Sequence, residues 1–143
     1  MSEEQSESMI FDTGVLIEIV RGSHPALALK TRLESGSLTP HTTELNLFEL
    51  SYICCRREGW ARAKSVVNSI RESGYFKVHE VRGFLEAAAR MKCDRTISVV
   101  DCITIAAGEA LSIPVLFAKR EKELDEELKK RPFKIELGFL KDK

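Results

Sequence analysis

Three acids stand where carboxylates can do chemistry. Asp12 follows the apolar run Met9-Ile10-Phe11 and precedes Thr13-Gly14 and a second apolar run. So short a run reads as a buried strand. Asp12 then sits at its carboxyl end, where open α/β sheets place their ligand sites. The competing role for Asp12 is to cap the helix starting at Gly14, its carboxylate accepting backbone N–H bonds. Glu49 lies in the stretch Leu45 to Cys55, whose apolar residues occupy nearly every direction of a helical wheel. Such a helix is expected to be buried all round. A carboxylate in that company needs a partner, a cleft or a metal. Asp101, Thr104 and Gly108 form a narrow polar or small strip on the otherwise apolar helix from Val99 to Leu111. Ser98-x-x-Asp101 also fits a capping box, which accounts for the acid and leaves the strip unexplained. Three acids converging on one cleft would repel and raise each other's pKa. A divalent cation removes that cost, and hard oxygens favour Mg²⁺ or Mn²⁺ over zinc. Such a cation positions phosphate, activates water and stabilises a leaving oxygen, so phosphodiester hydrolysis is the reaction class implied.

The elements that must position these acids alternate between strand and helix. After the Gly14 helix, Arg21 to Pro25 is a turn. Pro25 sits in the first turn of the next helix, which Gly36 ends. Ser37 to Pro40 is a short strand candidate, and Thr42 or Thr43 caps the helix that carries Glu49. Trp60, Ala63, Val67 and Ile70 mark the inner stripe of a further helix. Tyr75 to His79 reads as a strand, and Phe84 to Met91 as a helix with Leu85, Ala88 and Ala89 inward. Pro114 to Ala118 is a buried strand, Lys119 to Lys130 a charged helix with Leu124 and Leu128 inward, and Phe133 to Leu137 an edge strand. The alternation implies a mainly parallel sheet with helices on both faces, an α/β/α sandwich of about five strands.

Bulk composition bounds the rest. The 143 residues fit one domain with a real core, covering 9–143 behind a flexible tail at 1–8. Lysine plus arginine equals aspartate plus glutamate, 22 each, which argues against binding duplex DNA by bulk charge and allows a local basic rim. No apolar run approaches the ~20 residues of a membrane span, and the acidic start is no signal peptide, so a cytoplasmic protein without membrane association is expected. Cys54, Cys55, Cys93 and Cys102 make no zinc spacing, and Cys54, Cys55 and Cys102 read as buried, reduced thiols.

Asp12-Thr13 after an apolar strand resembles a PIN domain, as do Asn46-Leu47-Phe48-Glu49-Leu50 and Asp101-Cys102-Ile103-Thr104-Ile105-Ala106-Ala107 with Ile113-Pro114-Val115-Leu116. The VapC-type toxin ribonucleases are the group most resembled. Order, spacing and total length carry the resemblance, from about Met9 to Leu137. It implies a small α/β/α sandwich, a homodimer, Mg²⁺- or Mn²⁺-dependent cleavage of single-stranded RNA, and an antitoxin partner that blocks the cleft. It assigns Asp12, Glu49 and Asp101 as acids of the site and Thr13 as the hydroxyl residue that helps hold it. The fourth family acid meets a departure. Its first position falls on Lys119 and its second on Glu121, so the fourth ligand is either Glu121 or absent. Lys119 and Arg120 follow a strand end on the cleft side and are candidates to hold substrate phosphates; most other basic residues read as ordinary surface charge. Lys119 in place of an acid keeps open a second reading, a PIN-like module that binds RNA or protein without cleaving.

Overall fold

The computed structural model of the protein describes residues 6–141. The expected tail falls largely outside the described residues; its inner end does not, because the first strand, β1 (Glu7–Phe11), already includes Glu7 and Ser8. β1 pairs in parallel with β2 (Leu38–Thr43) on one side and with β4 (Val115–Lys119) on the other. β3 (Lys77–His79) lies outside β2, and β5 (Leu137–Lys141) outside β4, giving the order β3-β2-β1-β4-β5 with every pair parallel. The chain builds outward from β1 in one direction, then returns to build in the other. That reversal opens a crevice at the carboxyl ends of β1 and β4, the place where such sheets take ligands.

Alternate residues of β1 serve opposite layers. Phe11 packs with Val15 and Leu16 of α1 (Thr13–Arg21), Leu29 of α2 (His24–Ser35), Leu47 and Leu50 of α3 (Glu44–Glu58), and Val66 of α4 (Trp60–Glu72). Ile10 packs with Ala88 of α5 (Leu85–Asp94), with Cys102, Ile105 and Ala106 of α6 (Val99–Leu111), and with Leu124 of α7 (Lys122–Lys130). The expected three-layer α/β/α sandwich is thus the observed one. Ile10 and Phe11 are both fully buried, and truncating either would cost ~2–5 kcal/mol.

Several details differ from the expectations. The helix α3 is not buried all round: only Asn46, Leu47 and Leu50 are inside, and Phe48 is 63% exposed. Cys54 and Cys55 accordingly are half-buried, and only Cys102 is a fully interior thiol. Trp60 is exposed, with Val66 completing the inner stripe of α4. Leu85 and Ala89 face outward, and Phe84 and Ala88 take the interior.

The C-terminal elements shift for an identifiable reason. Lys119 still pairs with Lys141 in the sheet and the backbone of Glu121 is extended, so α7 begins at Lys122. Beyond α7, the buried guanidinium of Arg95 donates to the carbonyls of Arg131 at 2.9 Å and Pro132 at 3.1 Å. It also lies 3.7 Å above the ring of Phe133 and 3.6 Å from the Glu127 carboxylate. Phe133 is held there, Ile135 packs on the α6 layer, and the strand expected at Phe133 to Leu137 forms only from Leu137 to Lys141.

Candidate active site

Asp12 takes the capping role at the carboxyl end of β1. It is the N-cap of α1, with Oδ2 accepting the Gly14 N–H at 3.3 Å. Its own N–H donates to the Leu116 carbonyl at 3.0 Å, which fixes it at the end of β1 against β4. Its other oxygen, Oδ1, is buried and accepts no hydrogen bond. Burial first, then the charges of Asp101 and Glu49, pushes its carboxyl up to about 7, against the pull of the backbone N–H bonds. Gly14 beside it permits the close approach of α1 to β4: an added Cβ would stand 2.9 Å from Cβ of Ala118.

Asp101 sits in the first turn of α6, where its N–H donates to Oγ of the N-cap Ser98 at 3.1 Å. Half of the expected capping box is therefore present. The carboxyl is pushed up to about 6, by burial first and then by Glu49, with the Ser98 hydrogen bond opposing and Glu121 and Glu123 adding to it. The strip beyond Asp101 is not open space. Thr104 is fully buried, and a Cβ on Gly108 would meet Val115 Cγ2 at 2.5 Å and the Ile113 carbonyl at 2.9 Å. Small and polar residues there bring α6 against the sheet, and only Asp101 opens on the cleft.

Glu49 lies on α3, within 3.5 Å of the Tyr52 hydroxyl that donates to it. One turn earlier, Asn46 is fully buried and uses its whole side-chain capacity. Its Nδ2 donates to Thr13 Oγ1 at 3.0 Å and to Thr104 Oγ1 at 3.2 Å. Its Oδ1 accepts from the N–H of Thr43 at 3.3 Å and from the Thr43 hydroxyl at 2.7 Å. The sequence flagged Asn46 only as part of a motif, because the partners that give it meaning lie on other elements. Thr13 lines the cleft, and its hydroxyl is committed to Asn46.

One cleft of about 480 Å³ receives Asp12, Thr13, Glu49, Asp101, Lys119 and Glu121. Lys119 Nζ stands 3.9 Å from the Glu121 carboxylate. Glu121 is the N-cap residue of α7 rather than a residue of its first turn, and makes no capping bond. A side cavity of about 380 Å³ shares Asp101 and Glu121 with the main cleft and adds Glu123. Arg120 is not brought in: its guanidinium lies 4.2 Å over Phe139 and 3.3 Å from Asp125. The basic residues that do line the cleft, besides Lys119, are Arg21, Arg57 and Lys141, the last paired with Glu18 at 3.0 Å. Arg21 ends α1 and Lys141 ends β5, positions that no local pattern links to the acids. A larger cavity of about 710 Å³ beside α5 holds acids and bases in mixture, among them Asp94 and Arg131 paired at 3.1 Å, and gathers none of the three acids.

As the side chains stand, no three His, Cys, Asp or Glu residues among those described form a group that could hold a metal ion. The donor chemistry nonetheless fits a hard divalent cation. One buried oxygen of Asp12 has no hydrogen-bond partner, and the charges of Asp101 and Glu49 push its carboxyl up, a repulsion a cation would relieve.

With this geometry goes a family. The PIN domain sequence profile matches residues 9–127, and the chain belongs to the PIN domain family. No curated protein matches it in sequence. Among solved structures, VapBC2 from Rickettsia felis, bound to a promoter DNA fragment, superposes with a TM-score of 0.70 at 12% identity, covering 92% of this chain and 98% of that one. A toxin–antitoxin complex from Klebsiella pneumoniae gives 0.65 at 14% identity, covering 94% and 99%. Mycobacterium tuberculosis VapC20, described as a sarcin–ricin loop cleaving toxin, gives 0.62 at 22% identity, covering 75% and 86%. At these identities the likeness is one of fold.

Proposed function

We propose that the chain is a divalent-metal-dependent endoribonuclease acting on single-stranded RNA, and the toxin half of a toxin–antitoxin pair. The observation that carries this reading is the unpartnered Oδ1 of Asp12 in a cleft shared with Glu49 and Asp101, within a PIN domain. Asp12, Glu49, Asp101 and Glu121 would hold Mg²⁺ or Mn²⁺. When bound, the cation supplies an activated water and charge for the leaving oxygen. Asp12 and Asp101, drawn from β1 and α6, would hold the cation from two separate elements. Lys119, Arg21, Arg57 and Lys141 line the same cleft and would draw the phosphate backbone to it. A chain with no net charge then binds RNA through this local arrangement, not through bulk charge.

The toxin assignment, an antitoxin partner, a homodimer and a cytoplasmic location form one reading. It is supported by family membership and by the toxin–antitoxin complexes among the structural relatives. Among the described residues no helix is long and apolar enough to cross a membrane. The decisive experiment incubates purified protein with end-labelled single-stranded RNA, with Mn²⁺ or with chelator. Cleavage that needs Mn²⁺ and is lost in Asp101→Asn is the expected result. Lys119 favours one second reading, a module that holds RNA without cutting it, since the PIN resemblance implies an acid at the position Lys119 occupies. RNA binding by the parent with no cleavage at any metal concentration would select that reading instead.

A further inference from the structure

The carboxylates of this cleft stand on separate elements, and something must fix how far apart those elements lie. Asp12 ends β1 and caps α1, Glu49 stands on α3, and Asp101 opens α6. Asn46, itself on α3, joins α1 and α6 through one amide. Its two N–H bonds end on Thr13, the residue after Asp12, and on Thr104, one turn beyond Asp101. Asn46 itself lies one turn before Glu49. We infer that Asn46 is the positioning residue of this site: its amide nitrogen is the strut that sets the spacing of the acid-bearing elements.

The chemistry of the partners fixes the direction of the amide. The Thr104 hydroxyl already donates to the Val100 carbonyl at 2.8 Å, and the Thr13 hydroxyl to the Asn46 carbonyl at 3.5 Å. Both must therefore accept, and only the NH₂ edge can donate to both. The oxygen edge faces Thr43, which supplies two donors and closes the capping box of α3. All four side-chain sites of the amide are thus used, with no freedom to rotate. Other residue types do less. A carboxylate at this position would lack the two donors and add a buried negative charge beside Asp12. A serine or threonine is too short to span from α3 to both hydroxyls. Asparagine delivers two donors without charge to a place already crowded with anions.

The inference rests on the reading of the cleft as a metal site, and the test separates the two. Mn²⁺ affinity is measured by calorimetry on the parent, Asn46→Ala, Thr104→Val and Leu33→Ala, with circular dichroism and Tm on each. Thr104→Val is near-isosteric and cuts one strut only. Leu33 is buried on α2 and does not line the cleft, so Leu33→Ala registers structural loss alone. Asn46→Ala is expected to bind Mn²⁺ about 10-fold or more weakly, the range seen when groups behind metal ligands are removed, and Thr104→Val, with one strut left, about 3-fold or more weakly. Leu33→Ala should lower Tm yet bind within about twofold of the parent, well short of that range. A folded Asn46→Ala or Thr104→Val with parental affinity overturns the inference. So does a Leu33→Ala that loses as much affinity as Thr104→Val. Should Asn46→Ala fail to fold, Thr104→Val decides. A parent that binds no Mn²⁺ overturns the metal reading, and the inference with it.

Discussion

The carboxyl of Asp101 is raised from 3.8 to about 6, by burial first and by Glu49 next, and this has a direction in pH. Between those values the folded state holds more protons than the unfolded chain, so stability falls as pH rises through the window and stays low above it. Asp12, raised to about 7 in the same way, acts with the same sign. Asp101→Asn removes the ionisation. We expect the metal-free variant to be more stable than the parent by on the order of 1–3 kcal/mol at neutral pH. The gap should open between about pH 4 and 7, because the charge of Asp101 also raises Asp12, and remain flat above. Urea titrations of both proteins across that range check it; a gap that widens in acid instead would show that Asp101 is not held as described. The same variant should lose measurable Mn²⁺ binding by calorimetry.

Around the fourth ligand, Glu121 opens on both cavities and Glu123 on the side cavity alone. Glu121→Gln should therefore lower RNA cleavage strongly and Glu123→Gln only slightly. Lys119→Asp should tighten Mn²⁺, since it adds an oxygen and removes a cation beside the site. Normal cleavage by Glu121→Gln would leave a site of three acids.

At the level of elements, close approach matters more than contact number. Gly108 brings α6 against β4, and neither Val115 nor the Ile113 backbone can yield to a methyl group at 2.5 and 2.9 Å. Gly108→Ala should cost ~1–3 kcal/mol. Gly83→Ala meets nothing within 4 Å and should change stability by less than ~0.5 kcal/mol. Chemical denaturation of the pair reads this directly. Across β2 and β3, His41 Nδ1 and His79 Nε2 share a hydrogen bond of 2.8 Å. Burial and the charges of His79 and Lys77 push His41 down to about 4. Here the folded state holds fewer protons, so the contribution is complete above about pH 6.5 and is lost as pH falls toward 4, opposite in sign to the aspartates. The acid loss of stability should be shallower in His41→Gln than in the parent.

The elements differ in how much of this the sequence displays. Ser98-x-x-Asp101 and Thr43 announce their caps locally, and the alternation of elements announces the sandwich. The acids are visible as misplaced charge in apolar runs. The expectation that α3 is buried all round fails because a wheel crowded with apolar residues has no marked face, so neighbours decide which side is covered and leave Phe48 and Tyr52 outside. The late start of β5 depends on Arg95 gripping Phe133, and the role of Asn46 depends on Thr13 and Thr104, partners 33 and 58 residues away. No window of sequence contains such pairs.

For the molecule as a whole, Phe48, Tyr52, Trp60 and Val99 expose large apolar surface. That exposure and the family resemblance lead to the expectation of a symmetric C₂ homodimer, the ordinary arrangement for soluble oligomers. Light scattering at micromolar concentration should return twice the 16.1 kDa chain mass, and a monomer mass throughout would count against the dimer and the toxin reading together.

The central place of β1 has a further effect, on the order in which the protein comes into being. β1 is made first, yet one whole flank of it stays bare until Val115 and Leu116 arrive to pair with Ile10 and Phe11. Glu49 can reach α1 early, through the short path over β2, whereas the wall of the crevice formed by β4 is made only after α6. Closing so long a loop is slow compared with local helix formation. A chain arrested in synthesis before residue 115 would carry Asp12, Glu49 and Asp101 and still have no pocket for them. The three acids are thus without a finished cleft until β4 has been made and has paired with β1.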